Sequence, residues 1–273
     1  MVQNFHMPPM GFGPGSQPEE EETLEYMSLP QDMRTFSAPF PEVDDRTALA
    51  PALQLMGLVA DAADRVAQGG APERFDLSQL DAANRRLVAE TMGEGEVAMK
   101  IRGIPAVRVQ ESVFAGVWGL QGAGVDAIEV ATVPQQSRDR AFEPVRPMSD
   151  QKAGAGVVNA PSLLAELVDK SAAFDGELHV VNLTLLPHTE EDLAWLDARM
   201  GEGSVDILSR GYGNCRVRST AMRHVWRVQF YNSMDTLILD TFEVTGMPEV
   251  ALAAPEDLSD SAERLREVLE AVR

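Results

Sequence analysis

Few side chains in this sequence could do covalent or acid–base chemistry. Cys215 is the single cysteine, and His179, His188 and His224 are the histidines in the same half of the chain. A thiol nucleophile needs a base held beside it, and none of the three stands at a diagnostic spacing from Cys215. One cysteine with scattered histidines also matches no metal-ligand spacing. Asp240 and Glu243 lie three apart on a strand pattern, which puts them on opposite faces. They make no carboxylate pair for proton transfer. The expectation is no catalytic residue, no metal ligand and no resident cofactor. Transient carriage of a metal or iron–sulfur cluster by Cys215 with one of these histidines is the alternative.

The segment Arg210-Gly211-Tyr212-Gly213-Asn214-Cys215 suits recognition better. Gly and Asn tolerate positive φ and so suit a tight connection between strands. Two readings stand: a tight turn with exposed Tyr212 and partly buried Cys215, or a loop presented to a partner. Asn232-Ser233-Met234-Asp235 reads as a polar hairpin turn capped by an Asn or Asp side chain, with Asn232 and Ser233 as further candidate contacts. Glu19, Glu20, Glu21 and Glu22 follow the Gly/Pro-rich run 7–16. They read either as a solvated tail or as an acidic arm for a basic partner segment.

Charge narrows the partners. The chain of 273 residues holds 23 Lys plus Arg against 43 Asp plus Glu, a net charge of −20. Residues 1–45 hold nine acids and one base, Arg34, for −8 in that segment. Phosphate binding needs clustered cations, so nucleic acid is disfavoured as a partner, and so is an anionic membrane surface. One cysteine allows no internal disulfide and fits a reducing compartment. Met1 to Gln17 lack the basic and apolar regions of a signal peptide. No stretch reaches the ~20 apolar residues of a spanning helix. A cytoplasmic location is expected.

The elements that must carry these residues come from a repeat. Shifted by 108 residues, Met92-Gly93-Glu94-Gly95 returns as Met200-Gly201-Glu202-Gly203, Arg108-Val109 as Arg216-Val217, and Val117-Trp118 as Val225-Trp226. Twelve of the 30 positions 92–121 are identical. Beyond them the offset is 114, with six extra residues near Tyr231–Met234. Each copy opens with an apolar-periodic helix, about 48–67 and about 161–173. A second helix follows. In the second copy it starts at the capping-box pair Thr189 and Asp192. In the first copy, Leu77, Leu80, Leu87 and Val88 share one face. Gly93 and Gly201 then stop these helices in the left-handed conformation.

Alternating runs at 204–209, 215–221, 224–231 and 236–244 predict a four-stranded antiparallel meander per copy. His179–Leu185 adds a candidate strand. Trp118 and Trp226, being matched, read as core. From Pro255, Leu258, Ala262, Leu265 and Leu269 predict a C-terminal helix packed on the second copy. The expected fold class is α+β: a duplicated helix–helix–antiparallel-meander unit about a pseudo-two-fold, plus a C-terminal helix. The expected divisions are an acidic Gly/Pro-rich arm at 1–46, a first repeat at 47–134, a linker at 135–159 and a second repeat at 160–273. The first copy lacks the 210–215 loop chemistry, which makes the second the likelier functional half on this reading.

These residues carry a resemblance. Leu185-Leu186-Pro187-His188-Thr189 through Leu196, Gly201-Glu202-Gly203, Ser209 to Arg216, Val225-Trp226, Gln229 to Ser233 and Pro255-Glu256-Asp257-Leu258 resemble the HupH/HyaF family of [NiFe]-hydrogenase expression and formation proteins. Gly15–Glu20 and Leu29–Thr35 resemble its N-terminal region. Arg227 stands where the family often has a second aromatic, and Asp240 where an Asn is common. The resemblance implies an accessory maturation factor, a chaperone or scaffold for uptake hydrogenase. It implies action on the small-subunit precursor before export, with a thioredoxin-like companion. It carries over no catalytic residue.

Overall fold

The structure is a computed structural model that describes residues 47–211 and 213–272. In chain order the elements are α1 (Ala50–Ala67), β1 (Glu73–Asp76), α2 (Ala82–Met92), β2 (Val97–Ile101), β3 (Val107–Glu111), β4 (Val117–Gly122) and β5 (Val125–Val130). Then follow α3 (Gln135–Asp139), α4 (Ala160–Ala172), β6 (His179–Asn182), α5 (Glu190–Met200) and β7 (Val205–Ser209). β8 (Asn214–Ser219), β9 (Val225–Tyr231), β10 (Leu237–Val244), a 3-10 turn (Glu249–Ala251) and α6 (Pro255–Val272) complete the described residues. The protein is α+β, with an antiparallel sheet and a C-terminal helix. All ten strands join one sheet in the order β1-β5-β4-β3-β2-β7-β8-β9-β10-β6. The middle pair, β2 and β7, centres on Met99 opposite Ile207.

Strict alternation sorts the central strands into two faces. Val97, Met99, Val109, Trp118, Val205, Ile207, Cys215 and Trp226 face a core closed by Ala131, Val133, Ala141, Met247 and Ala251. Each tryptophan satisfies its indole N–H on a backbone carbonyl, Trp118 on Ala131 at 2.8 Å and Trp226 on Thr245 at 3.1 Å. On the opposite face the helices stand at the two ends. α1, α2 and α6 cover Val117, Ile128 and Val130, and α4 and α5 cover Val225, Phe242 and Val244.

Helix starts are fixed by side-chain caps. Thr189 and Asp192 form the capping box expected of α5. The second function of Asp192 lies outside sequence spacing. Its Oδ1 also accepts the backbone N–H groups of Val158, Asn159 and Ala160 at 2.7–3.0 Å, tying α4 to α5. Burial by itself would raise this carboxyl's pKa. The donors from Ala160, Thr189, Val158 and Asn159 outweigh it and hold the group well below the usual range. Asn84 does the same in the first half, accepting the Ala52 N–H at 2.9 Å.

The structure corrects several expectations. α2 starts at Ala82 with Asp81 as N-cap, so Leu77 and Leu80 precede it; the Asp76 carboxylate takes Ser78 N–H and turns the chain before the helix. Gly93 and Gly201 do end their helices, with φ of 55° and 64°. Their ψ of −160° and −164° is the extended glycine region rather than the left-handed helical one, because the chain leaves directly into a strand. β1 was not anticipated; it pairs with β5 as β6 pairs with β10. Residues 135–159 include the short helix α3. The C-terminal helix does not pack on the second half. Leu258, Ala262, Leu265 and Leu269 join the core built by α1 and α2. The physical reason is at Gly116: a Cβ there would meet Leu258 Cδ2 at 2.3 Å, so this glycine opens the seat that α6 fills. The position 108 residues on is His224, also at positive φ (64°), stacked on Phe174 with ring centroids 4.3 Å apart.

Candidate functional site

The candidate loop joins β7 to β8, and the candidate turn joins β9 to β10. Asn214 is the register partner of Tyr231, so both connections lie at the same end of the sheet. Arg210 and Gly211 are exposed, and Arg210 donates its backbone N–H to the Glu96 carbonyl at 3.1 Å. Gly213 is exposed with φ 93°, and Asn214 is half-buried as the first residue of β8. Tyr212 lies outside the described residues, as do Glu19, Glu20, Glu21 and Glu22 and the whole 1–46 arm. Asn232 Oδ1 accepts the N–H groups of Met234 and Thr236, both at 2.9 Å, which is the expected side-chain cap of a polar turn. Ser233 is exposed beside it. The structure therefore brings Arg210, Gly211, Gly213 and Asn214 together with Asn232 and Ser233 at one end of the sheet.

Cys215 does not share that surface. It is 1% exposed, inside the central core, not partly buried as expected. Period-two alternation from exposed Arg216 sends it to the inner face. Burial, and then the negative charge of Glu243, push its thiol up to about 12. A neutral thiol is a poor nucleophile and a poor ligand. Among the described residues no three His, Cys, Asp or Glu side chains converge as a metal site. Asp240 and Glu243 stay apart. The Asp240 carboxylate instead accepts from Arg227 in a two-point pair, at 3.0 and 2.7 Å, and from Gln229 at 3.2 Å. Arg227 and Asp240 are thus one cross-strand pair.

Sequence reading missed a concavity on the sheet. On the sheet face left open between the two helix groups lies a groove of about 920 Å³. Register fixes its floor. Gln121, Arg108, Lys100, Asp206 and Arg218 form one cross-strand row. Gly119, Gln110, Ala98, Leu208 and Arg216 form the next. Leu77, Val88 and Met92 make an apolar wall on the α2 side. Arg218 is shared with a smaller recess beneath Met200 of α5. Glu94 lines the groove, and Glu96, two residues on, contacts the Arg210–Gly211 connection. The outward positions of the strand pattern held the signal: Lys100, Arg108, Arg216 and Arg218 alternate with buried aliphatic residues. No helix among the described residues is long and apolar enough to cross a membrane.

Fold and site together define an α+β protein whose accessible features are an open groove and a cluster of turns at one end of its sheet. The chain belongs to the HupH hydrogenase expression protein family, whose C-terminal conserved region matches residues 49–141 and 157–272. It is 66% identical to the hydrogenase expression/formation protein HupH of Rhodobacter capsulatus, over 100% of both chains. It is 45% identical to HoxQ of Cupriavidus necator over 98% of both chains. Identity to the hydrogenase-1 operon protein HyaF of Escherichia coli is 30%, over 97% of this chain and 95% of that one. A solved structure, the hydrogenase expression protein HupH of Thiobacillus denitrificans, covers 41% of this chain and 94% of its own, at 29% identity and a TM-score of 0.37.

Proposed function

We propose that this protein is a non-catalytic maturation factor for an uptake [NiFe]-hydrogenase. It acts in the cytoplasm as a chaperone or scaffold on the small-subunit precursor before export, alongside a thioredoxin-like companion. The observation that carries the reading is the full-length match to a relative named as a hydrogenase expression/formation protein. Exposed Arg210, Gly211, Gly213 and Ser233, with half-buried Asn214 and Asn232, support a partner-binding end on the sheet. The acidic segment 19–22 is proposed as a second contact, for a basic stretch of the precursor. Burial of Cys215 weighs against carriage of a metal or cluster through that thiol.

The scaffold is proposed as two copies, 47–134 and 160–273, joined by 135–159 and preceded by the arm 1–46. Three features support the duplication. The helix–strand–helix–four-strand order occurs twice. Corresponding strands take mirrored places from the two edges of the sheet. The central pair Met99 and Ile207 lies 108 residues apart, the offset of the sequence match.

The test is an anaerobic pull-down with separated large- and small-subunit precursors, paired with hydrogenase activity in a deletion strain. Retention of the small-subunit precursor and loss of activity are expected. No retention of either precursor, with undiminished activity in the deletion strain, removes the proposal.

A further inference from the structure

The groove carries cations that no carboxylate pairs directly, although Arg216 lies over the Tyr231 ring at 4.7 Å and Lys100 and Arg218 flank Asp206 in register. Asp206 on its floor lies 3.3 Å from Arg102, and Asp126 at its edge is paired to Arg85. Lys100, Arg108, Arg216 and Arg218 make no ion pair among the described residues. The first three are exposed and the fourth half-buried. Four cations outside any ion pair, against Glu94 as the one lining acid outside one, are a local reversal of sign in a chain with net charge −20. The reversal is felt locally, because salt at physiological strength screens beyond about 8 Å. Between them lie Ala98 and Leu208, register partners at the centre of the floor, with the apolar α2 wall alongside.

We propose that this groove is a docking site for an extended acidic segment of a partner protein, with carboxylates four residues apart and an apolar residue midway. The spacing follows from the sheet. Arg108 on β3 and Arg216 on β8 are three strand steps apart at ~4.8 Å each and one row apart along the strands, about 16 Å in all, a span that arginine side chains close to ~13 Å. An extended chain rises ~3.3 Å per residue with alternate side chains on one side, so residues i and i+4 point the same way about 13 Å apart. Each arginine can clamp one carboxylate through two parallel N–H donors. Residue i+2 then falls between the Ala98–Leu208 row and the Lys100–Asp206 row. An open trough running across several strands suits a chain segment better than a small anion, which is bound by burial on most sides. The site is read from groove geometry alone, so it stands whether or not the hydrogenase small subunit is the partner.

The test is fluorescence anisotropy of the full chain with a labelled nine-residue peptide in a Ser/Thr background, carrying two glutamates four apart and a leucine midway. Saturable binding that weakens with added salt is expected. The Arg108→Glu/Arg216→Glu variant should lose roughly 30-fold or more in affinity. Arg108→Gln/Arg216→Gln should lose less while keeping the same melting curve, which guards against simple misfolding. Arg223→Glu, an exposed change away from the groove, should bind as the wild type does. The glutamine version of the peptide should bind at least tenfold more weakly. Absence of binding to the wild type, equal binding of a lysine version, or undiminished binding to both double variants overturns the proposal. So does sedimentation showing a dimer that Arg108→Glu/Arg216→Glu dissolves, because the occupant would then be a second copy.

Discussion

At the scale of single residues, burial decides two roles. Cys215 at 1% exposure, with its thiol pushed up to about 12, should resist a disulfide reagent at pH ~8 until denaturant is added. Rapid labelling of the native protein would contradict that placement. Glu111 is buried at the end of β3 with one oxygen accepting the Gly116 N–H at 3.2 Å, and burial raises its pKa from 4.5 to about 7. A carboxyl raised on folding costs nothing below its unfolded pKa, and it destabilises as pH rises through the folded value. Between pH 4.5 and about 7 the native state should therefore lose on the order of 3 kcal/mol to this group. Glu111→Gln removes the ionisation. Its advantage in melting temperature should be small near pH ~4.5 and grow towards pH ~8. A constant difference between variant and wild type across that range would refute the assignment.

At the scale of elements, the cross-strand pair of β9 and β10 is the informative case. The Arg227 and Asp240 side chains are 14% and 8% exposed. Removing Asp240 leaves the buried Arg227 with only the longer ion pair to Asp197 at 3.6 Å, so Asp240→Asn alone should cost about 3 kcal/mol in denaturant unfolding. Arg227→Tyr together with Asp240→Asn replaces both members at once, and it should regain at least half of that loss. Purely additive losses would mean that the pair is not coupled. Helices and the meander strands of this protein were legible because their cues are local: apolar periodicity, the Thr189–Asp192 capping box, and glycines at helix ends. β1 was not, since its four residues Glu73–Asp76 show only alternating half-burial and their reason is the partner strand β5. The repeat itself was the cue that could have found it, because β6 was anticipated in the corresponding place.

At the scale of the whole molecule, the sheet is continuous through β2 and β7, and α6 leaves the C-terminal half to complete the core of the N-terminal half. The halves should therefore unfold together. Single-tryptophan variants reporting from Trp118 and from Trp226 should melt in coincident transitions. Leu258→Ala, which empties the seat beside Gly116, should lower both by the same amount, at a cost of about 2–5 kcal/mol. Two separated transitions, with only one moved by the substitution, would show independent halves.

Sequence by itself determined the class, the longer helices and the two meanders, the buried Trp118 and Trp226, the polar turn at Asn232 and the family. Each of these rests on local periodicity, on caps or on residue identity. Only the tertiary structure decided that Cys215 is sealed in the core, that Arg227 and Asp240 are partners, and that α6 belongs to the far half. It also decided that outward residues of β2, β3 and β8 line one groove. Those facts depend on which strands become neighbours. Strand pairing brings together residues over a hundred positions apart, and no spacing along the chain encodes that adjacency.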